Sequence, residues 1–366
     1  MTFAGLRSVL AASMTTVCLA GCADLGYYWQ SVSGHLTLLN AARPVDDWLG
    51  DAHTPAPLKN RLVLAQRIRH FAVTELKLPD NPSYQRYADL HRSAVVWNVV
   101  AAPAYSLTLK TWCFPVAGCV GYRGYFSEPQ ARAEAQQLNG QGFEVYVHGV
   151  PAYSTLGWMN WAGGDPLLST FIGYPEGELA RLVFHELAHQ VAYAPDDTVF
   201  NESFATAVER LGVQRWLDAR ASQSSDEARK AYALFDGRRQ QFRALALVTR
   251  RELDRIYEEK KPLAHGPRAQ AALKKIAMQN FRDQYAQLKT QWDGYAGYDA
   301  WVARANNAAF GAQAAYDDLV PGFEALFERE GRDWQRFYDA VQRLARLPRD
   351  ERHAILNINK LEIPNG

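Results

Sequence analysis

The stretch that most constrains this chain is 179–193, LARLVFHELAHQVAY, which carries His185, Glu186 and His189 in the order H-E-x-x-H inside an apolar run. Leu179, Leu182, Val183, Phe184, Leu187 and Val191 recur there with helical period, and neither Gly nor Pro interrupts them. The pattern predicts a buried helix, and residues four apart on a helix share a face. His185 and His189 can then point two imidazoles at one Zn2+. Glu186, about 100° round the helix, sits beside the metal and is free to take a proton from water. With nine His in 366 residues, a chance H-E-x-x-H is expected on the order of one time in a hundred. The helical setting makes a chance origin rarer still.

The rest of the composition bounds the architecture. A chain of 366 residues that is 48% hydrophobic can bury a sizeable core in one large or two ordinary domains. Forty basic and thirty-nine acidic residues give a formal charge of +1 with no block of like charge. Nothing electrostatic therefore argues for nucleic acid or an acidic partner, and no protein partner is identifiable. The ten Trp and eighteen Tyr are expected mainly in a core. There is no internal repeat and no low-complexity tract.

Residues 1–22 read as an export signal: a single charge at Arg7, an apolar stretch around Val9, Leu10, Met14 and Val17, then Leu19-Ala20-Gly21-Cys22. That ending resembles a bacterial lipobox. The resemblance implies cleavage before Cys22, acylation of that cysteine, and a lipid-anchored protein of the cell envelope. Ala23, where Asp would retain the protein at the inner membrane, resembles the signal for delivery to the periplasmic face of the outer membrane. The apolar run is too short to span a bilayer, and the later candidate at 93–107 is broken by Pro103. With Cys18 removed and Cys22 acylated, Cys113 and Cys119 are the only remaining pair, and a disulfide between them suits the periplasm. A lone C-x5-C pair is not a zinc spacing.

Along the chain, 30–50 and 57–78 have helical period, and 87–126 is β-branched and aromatic with turns between two or three strands. Ser127-Glu128-Pro129-Gln130 offers a capping box, Gly140 a helix stop, and 143–150 alternates like a strand. Residues 153–158 resemble the strand that precedes the H-E-x-x-H helix in zinc peptidases, which implies either a sheet edge on which an extended peptide substrate would add as another strand or an ordinary sheet strand. The segment 160–178 has the Gly and Pro content of an active-site loop. A turn at Ala194-Pro195-Asp196-Asp197 leads to a helix opening near Thr198. Residues 225–261 and 269–292 predict an antiparallel helical hairpin, and 306–327 and 334–347 a C-terminal helical part. The expectation is an α+β, predominantly α-helical fold with a small sheet packed on the zinc helix. After the signal it forms a single domain, 23–366, with N-terminal helices at 23–86, the sheet and zinc site at 87–217, and a helical part at 218–366.

Asn201-Glu202-Ser203-Phe204-Ala205 resembles the N-E-x-F-A segment of gluzincin metallopeptidases, in which the glutamate is the third zinc ligand. Taken with HELAHQ, LAGC, CFPVAGCVGYRGYF and NNAAFGAQAAYDDLVPGFEALF, nearly all of the mature chain resembles the predicted bacterial zinc aminopeptidase family. The resemblance implies one Zn2+ held by His185, His189 and Glu202, and a peptide substrate. One departure stands out: only twelve residues separate His189 from Glu202, whereas the nineteen between His189 and Glu209 would match thermolysin-like enzymes better. Geometry favours Glu202. If the two helices fold back about a turn centred near 195–196, His189 lies level with about residue 202 and Glu209 with about residue 182. Glu209 then sits roughly 10 Å further along, too far to ligate but placed to support a ligand from behind.

The chemistry that follows is hydrolysis, with Glu186 passing the proton of water to the leaving amine. An oxyanion donor is also required. Tyr316 is the candidate, with Tyr193 and Tyr153 as rivals. Asp165, Glu176 and Glu178 are near enough in sequence to meet a substrate ammonium, but are equally explained as loop and helix N-terminal carboxylates. Two other readings share the motif: a non-catalytic envelope scaffold stabilised by zinc, and a zinc amidase acting on cell-wall peptides. Structural zinc sites fill four positions with protein ligands, which favours the open, catalytic one.

Overall fold

A computed structural model describes residues 25–114, 118–219, 223–258, 266–314 and 318–357. The chain opens with a helix over 25–41 (α1), a two-residue strand Arg43–Pro44 (β1), and helices Val45–Gly50 (α2) and Ala56–Thr74 (α3). The single helical run expected over 30–50 is thus divided, because Pro44 has no N–H to continue a helix and pairs at a strand edge instead.

Three small sheets follow. Arg86–Ala88 (β2) lies between β1, antiparallel, and Leu167–Leu168 (β8), parallel. Val96–Pro103 (β3) is the centre of the main sheet, flanked antiparallel by Arg123–Tyr125 (β6) and by Phe143–Val150 (β7), with Val96 opposite Val150 and Pro103 opposite Phe143. Trp112–Phe114 (β4) and Gly118–Val120 (β5) form a hairpin with Cys113 opposite Cys119, and these two cysteines are joined in a disulfide.

Alternation along β3 gives the main sheet two buried faces. Val99 and Ala101 pack on Ala131, Ala135 and Leu138 of Glu128–Gly140 (α4). Val100 and Ala102 face the other way, onto Ala308 and Ala309 of Asn307–Ala314 (α10). Ser127 stands at the N-cap of α4, but its side chain makes no cap hydrogen bond, so the expected capping box does not form.

Glu176–Ala188 (α5) and Thr198–Asp218 (α6) run through the main core. Leu179, Leu182, Val183, Phe184 and Leu187 of α5 are buried with Phe200, Phe204 and Val208 of α6, against Ile68 and Phe71 of α3. The same core includes Leu167 and Leu168 of β8, and also Phe323 of Val320–Arg329 (α11) and Phe337 and Tyr338 of Trp334–Ala345 (α12). Gln223–Glu258 (α7) and Gly266–Gln291 (α8) form the long hairpin, in which Phe242, Leu253 and Ile256 meet Phe281 and Tyr285. Asp299–Ala303 (α9) links this hairpin to α10, and Arg349–Leu356 (α13) ends the described chain. The fold is α+β and predominantly helical. Among the described residues, no helix is long and apolar enough to cross a membrane.

Residues 153–158 do not form the expected strand. Leu156 and Gly157 both take positive φ, 55° and 78°, which no extended strand accommodates. The chain instead turns there, into a single 3-10 turn at Asn160–Ala162.

Candidate metal centre

The site is built where α5 hands over to α6. His189 is the C-cap of α5, and Asp197 is the N-cap of α6, accepting from Phe200 N at 3.1 Å. Asn201 closes the turn between them. Its amide donates to Ala194 O and its side-chain oxygen accepts from Ala194 N, both at 2.8 Å. The residue after this clamp is Glu202, so the N-E pair fastens the turn with one side chain and presents a carboxylate with the next.

His185, His189 and Glu202 bring one donor atom each to a common point. His185 Nε2 lies 3.2 Å from His189 Nε2 and 3.3 Å from Glu202 Oε2, and His189 Nε2 lies 3.7 Å from that oxygen. Tetrahedral ligands bonded at about 2.0–2.1 Å stand about 3.3–3.4 Å apart, so the three atoms fit one small divalent cation. Two imidazole nitrogens and a carboxylate oxygen suit zinc and other first-row metals.

Glu209 does not reach this point. Its carboxylate accepts from His185 Nδ1 at 3.0 Å, which favours the tautomer whose Nε2 carries the lone pair that can ligate. Arg181 Nη1 donates to both Glu209 oxygens at 3.0 Å, and Arg181 Nε to Glu178 at 3.1 Å. Arg239 of α7 then grips Glu178 through both of its terminal nitrogens, at 3.1 and 2.7 Å. A chain of alternating charge thus backs His185. His189 has no such support: its Nδ1 is buried without a partner.

The electrostatics follow from this crowding. Burial works against charge on His185, but hydrogen bonds to Glu202 and Glu209 outweigh it and push the imidazole up to about 10 without a metal. Burial holds His189 down at about 4. Burial favours the neutral form of Glu209 as well, yet Arg181 and His185 hold its carboxyl well below the ordinary range. Burial raises Glu186 to about 7, with His185 opposing and Glu202 adding to the rise. No hydrogen bond or ion pair engages Glu186 among the described residues.

Two walls flank the centre. One is the disulfide hairpin, whose Cys119 N donates to Asp196 of the α5–α6 turn at 2.6 Å. Gly118 beside it has φ +71°, and a Cβ there would fall 2.6 Å from Asp196 Oδ1, so only glycine lets the hairpin approach. Tyr122 follows the hairpin. It keeps 38% of its surface open, yet it is set deeply enough that desolvation, then Glu202, Tyr193 and Glu186, raise its phenol. The other wall is the loop after β7. Thr155 N and Oγ1 donate to buried Asp165, at 3.1 and 2.8 Å, and Ser83 Oγ accepts from Asp165 N at 3.2 Å. Gln190, next to His189, donates to Ser83 Oγ at 3.2 Å and ties this loop to the end of the metal helix. Trp158 and Trp161 project from it into solvent.

Several of the side chains considered for other roles are engaged elsewhere, and two lie outside the described residues. Asp165 is spent on the loop, Glu176 accepts from Trp216 Nε1 at 3.0 Å, and Glu178 is paired with two arginines, so none of the three is open to a substrate ammonium. Tyr153 packs on Phe126 and His35 rather than at the metal point. Tyr193 lies near Glu202, whose charge adds to the burial that raises its phenol. Tyr316 and Cys22 lie outside the described residues. Among the described residues, side chains take up part of both outer edges of the main sheet. Gln30 bonds Gly124 O and Phe126 N beside β6, while Arg304 and Asn306 cap Val147 O and Val145 O of β7 at 3.0 and 2.9 Å. Tyr122 and Gln190 are the two site neighbours that sequence reasoning passed over, although both stand inside the segments CFPVAGCVGYRGYF and HELAHQ.

Residues 26–356 match the family described as "Putative aminopeptidase". No curated protein and no solved structure matches the chain.

Proposed function

The chain belongs to the Aminopep family, and from that membership and the geometry of the centre we propose that it is a zinc-dependent peptidase. The observation that carries the proposal is the convergence of His185 Nε2, His189 Nε2 and Glu202 Oε2 at tetrahedral separations with Glu186 unengaged beside them. With three protein donors, one position stays open for water or substrate, as in catalytic rather than structural zinc sites. Bound Zn2+ would supply Lewis acidity, bringing the pKa of a water near 7 and polarising the scissile carbonyl.

The residues of the chain do the rest. Glu209 and Arg181 hold His185 in one orientation and one tautomer. Glu186 accepts the proton of the attacking water and returns it to the leaving amine. Tyr122, whose phenol is raised by the charges of Glu202 and Glu186 as well as by burial, donates its hydroxyl to the oxyanion that develops on the carbonyl, the part expected of Tyr316 from sequence. The family description supports cleavage from the amino end. The group that would hold a substrate ammonium is none of Asp165, Glu176 and Glu178, since all three carboxylates are engaged within the protein. The lipobox-like LAGC supports acylation of Cys22 and an envelope location, and the Cys113–Cys119 disulfide suits such an oxidising compartment.

The test is peptide profiling of purified protein with zinc, then with a chelator. Hydrolysis of peptides with a free amino terminus, abolished by chelation and restored by zinc, is expected. Equal cleavage of amino-blocked peptides would overturn the aminopeptidase specificity. A zinc-loaded protein that cleaves neither, and that chelation merely unfolds, would overturn the catalytic reading in favour of a scaffold.

A further inference from the structure

Helix α1 packs by one face and leaves an apolar face outside. Tyr27, Gln30 and Leu38 point inward: Tyr27 stacks on Phe114 and meets Tyr125 edge-on, Gln30 bonds the β6 backbone, and Leu38 joins the main core. Gly34 lies on that face too, against the Phe126 ring. Leu25, Tyr28, Trp29, Val32 and Leu36 fall on the opposite side, within an arc of about 100° at helical spacing. All five are exposed, Leu25 at 71% and Trp29 at 74%. They make up five of the sixteen large hydrophobic side chains exposed among the described residues, concentrated on one helix. A solvated surface helix carries polar residues there, so this face is built to be covered.

What covers it follows from the chain next to it. Cys22 lies three positions before Leu25. At no more than about 3.5 Å per residue, an acyl group on Cys22 holds the start of α1 within about 10 Å of the membrane surface. We propose that α1 lies in the membrane interface beside the acylated Cys22, with Leu25, Tyr28, Trp29, Val32 and Leu36 immersed at the boundary of headgroups and acyl chains. Tyr and Trp are the side chains that favour that depth, and an amphipathic helix with such a face buries it about 5–10 Å. The segment 23–42 contains no Lys or Arg, so docking rests on apolar burial and is insensitive to anionic lipid. The helix would fix orientation as well as attachment. Its inner face bonds Gly124 and Phe126, just beyond Tyr122, which places one wall of the metal cleft directly behind the docked helix.

The test uses full-length protein purified from membranes in detergent and reconstituted into phosphatidylcholine vesicles, with or without bromine on the acyl chains. With ten tryptophans in the chain, bromolipid is expected to quench about a tenth of the emission, and Trp29→Phe to remove that share. High salt should leave the quenching unchanged. Absence of quenching, or quenching that persists in Trp29→Phe, overturns the proposal; the second result would point to Trp158 or Trp161 instead. A dimer in detergent that Trp29→Ser dissolves, with no bromolipid effect, assigns the face to a second copy and also overturns it. The mass of the amino-terminal peptide reads the anchor separately. Trp29-dependent quenching with an unmodified Cys22 would support the docking and overturn its link to the acyl group.

Discussion

Replacing Glu209 with alanine should weaken metal binding without removing a ligand. The carboxylate is 2% exposed and makes three hydrogen bonds at 3.0 Å, two from Arg181 and one with His185 Nδ1. Loss of a partner that orients a ligating histidine costs about 10–100-fold in metal affinity, or about 1.4–2.7 kcal/mol. The metal-free protein suffers separately, because Arg181 loses its buried counter-charge. Breaking such a pair costs about 3–5 kcal/mol, and the lower end applies because the Arg181 side chain is 25% exposed and keeps Glu178 at 3.1 Å. Zinc affinity from competition with a chromophoric chelator, and urea unfolding of the metal-free protein, measure the two effects. Glu209→Gln retains an acceptor for His185 Nδ1 but no charge for Arg181, so it should recover much of the affinity and little of the stability. Wild-type zinc affinity in Glu209→Ala would refute the reasoning, since His185 would then need no support from behind.

Three further outcomes follow from the same geometry. Glu202→Ala should lose zinc and activity together, read by metal analysis and peptide hydrolysis; a filled site would mean that another carboxylate ligates. Tyr122→Phe should lower kcat by about 10²–10³ with a smaller change in KM, and an unchanged kcat would return the oxyanion role to Tyr193 or Tyr316. Asp197 caps α6 and faces Arg352, His353 and Arg349. Burial favours its neutral acid, but the hydrogen bonds from His353 and Phe200 N prevail and hold the carboxyl below its ordinary range. A depressed carboxyl stabilises the fold above its unfolded pKa of about 3.9 and loses that contribution as pH falls through the folded value. Asp197→Asn should therefore be less stable than wild type at neutral pH, and the gap should narrow on acidification below about pH 4; a gap independent of pH would contradict this.

What the sequence revealed was whatever local spacing encodes. The period of 179–193 sets α5, the i, i+4 histidines set two donors, and the count of residues about Pro195 places Glu202 beside them and Glu209 level with about residue 182. The Cys113–Cys119 pairing and the α7–α8 hairpin followed from equally local arguments. The parts that depend on distant segments were not legible. Arg239 reaches Glu178 across 61 positions of sequence, and Asp196 receives Cys119 N across 77, which is what carries Tyr122 to the centre. Residues 153–158 misled because their place just before the H-E-x-x-H helix suggests an edge strand, whereas Leu156 and Gly157 take positive φ and turn the chain. The carboxylates Glu176 and Glu178 looked available because Trp216 and Arg239 lie far away in sequence, while the near partners, Thr155 for Asp165 and Arg181 for Glu178, carry no signal of their own.

The most direct test of the central claim is bound zinc and kcat/KM measured together on Glu186→Gln. The account predicts one zinc per chain, as in the wild type, because Glu186 is not among the converging donors. It also predicts a fall in kcat/KM of about 10²–10⁴, the size of a lost general base. A variant that hydrolyses peptides at the wild-type rate, or that no longer holds zinc, would contradict it.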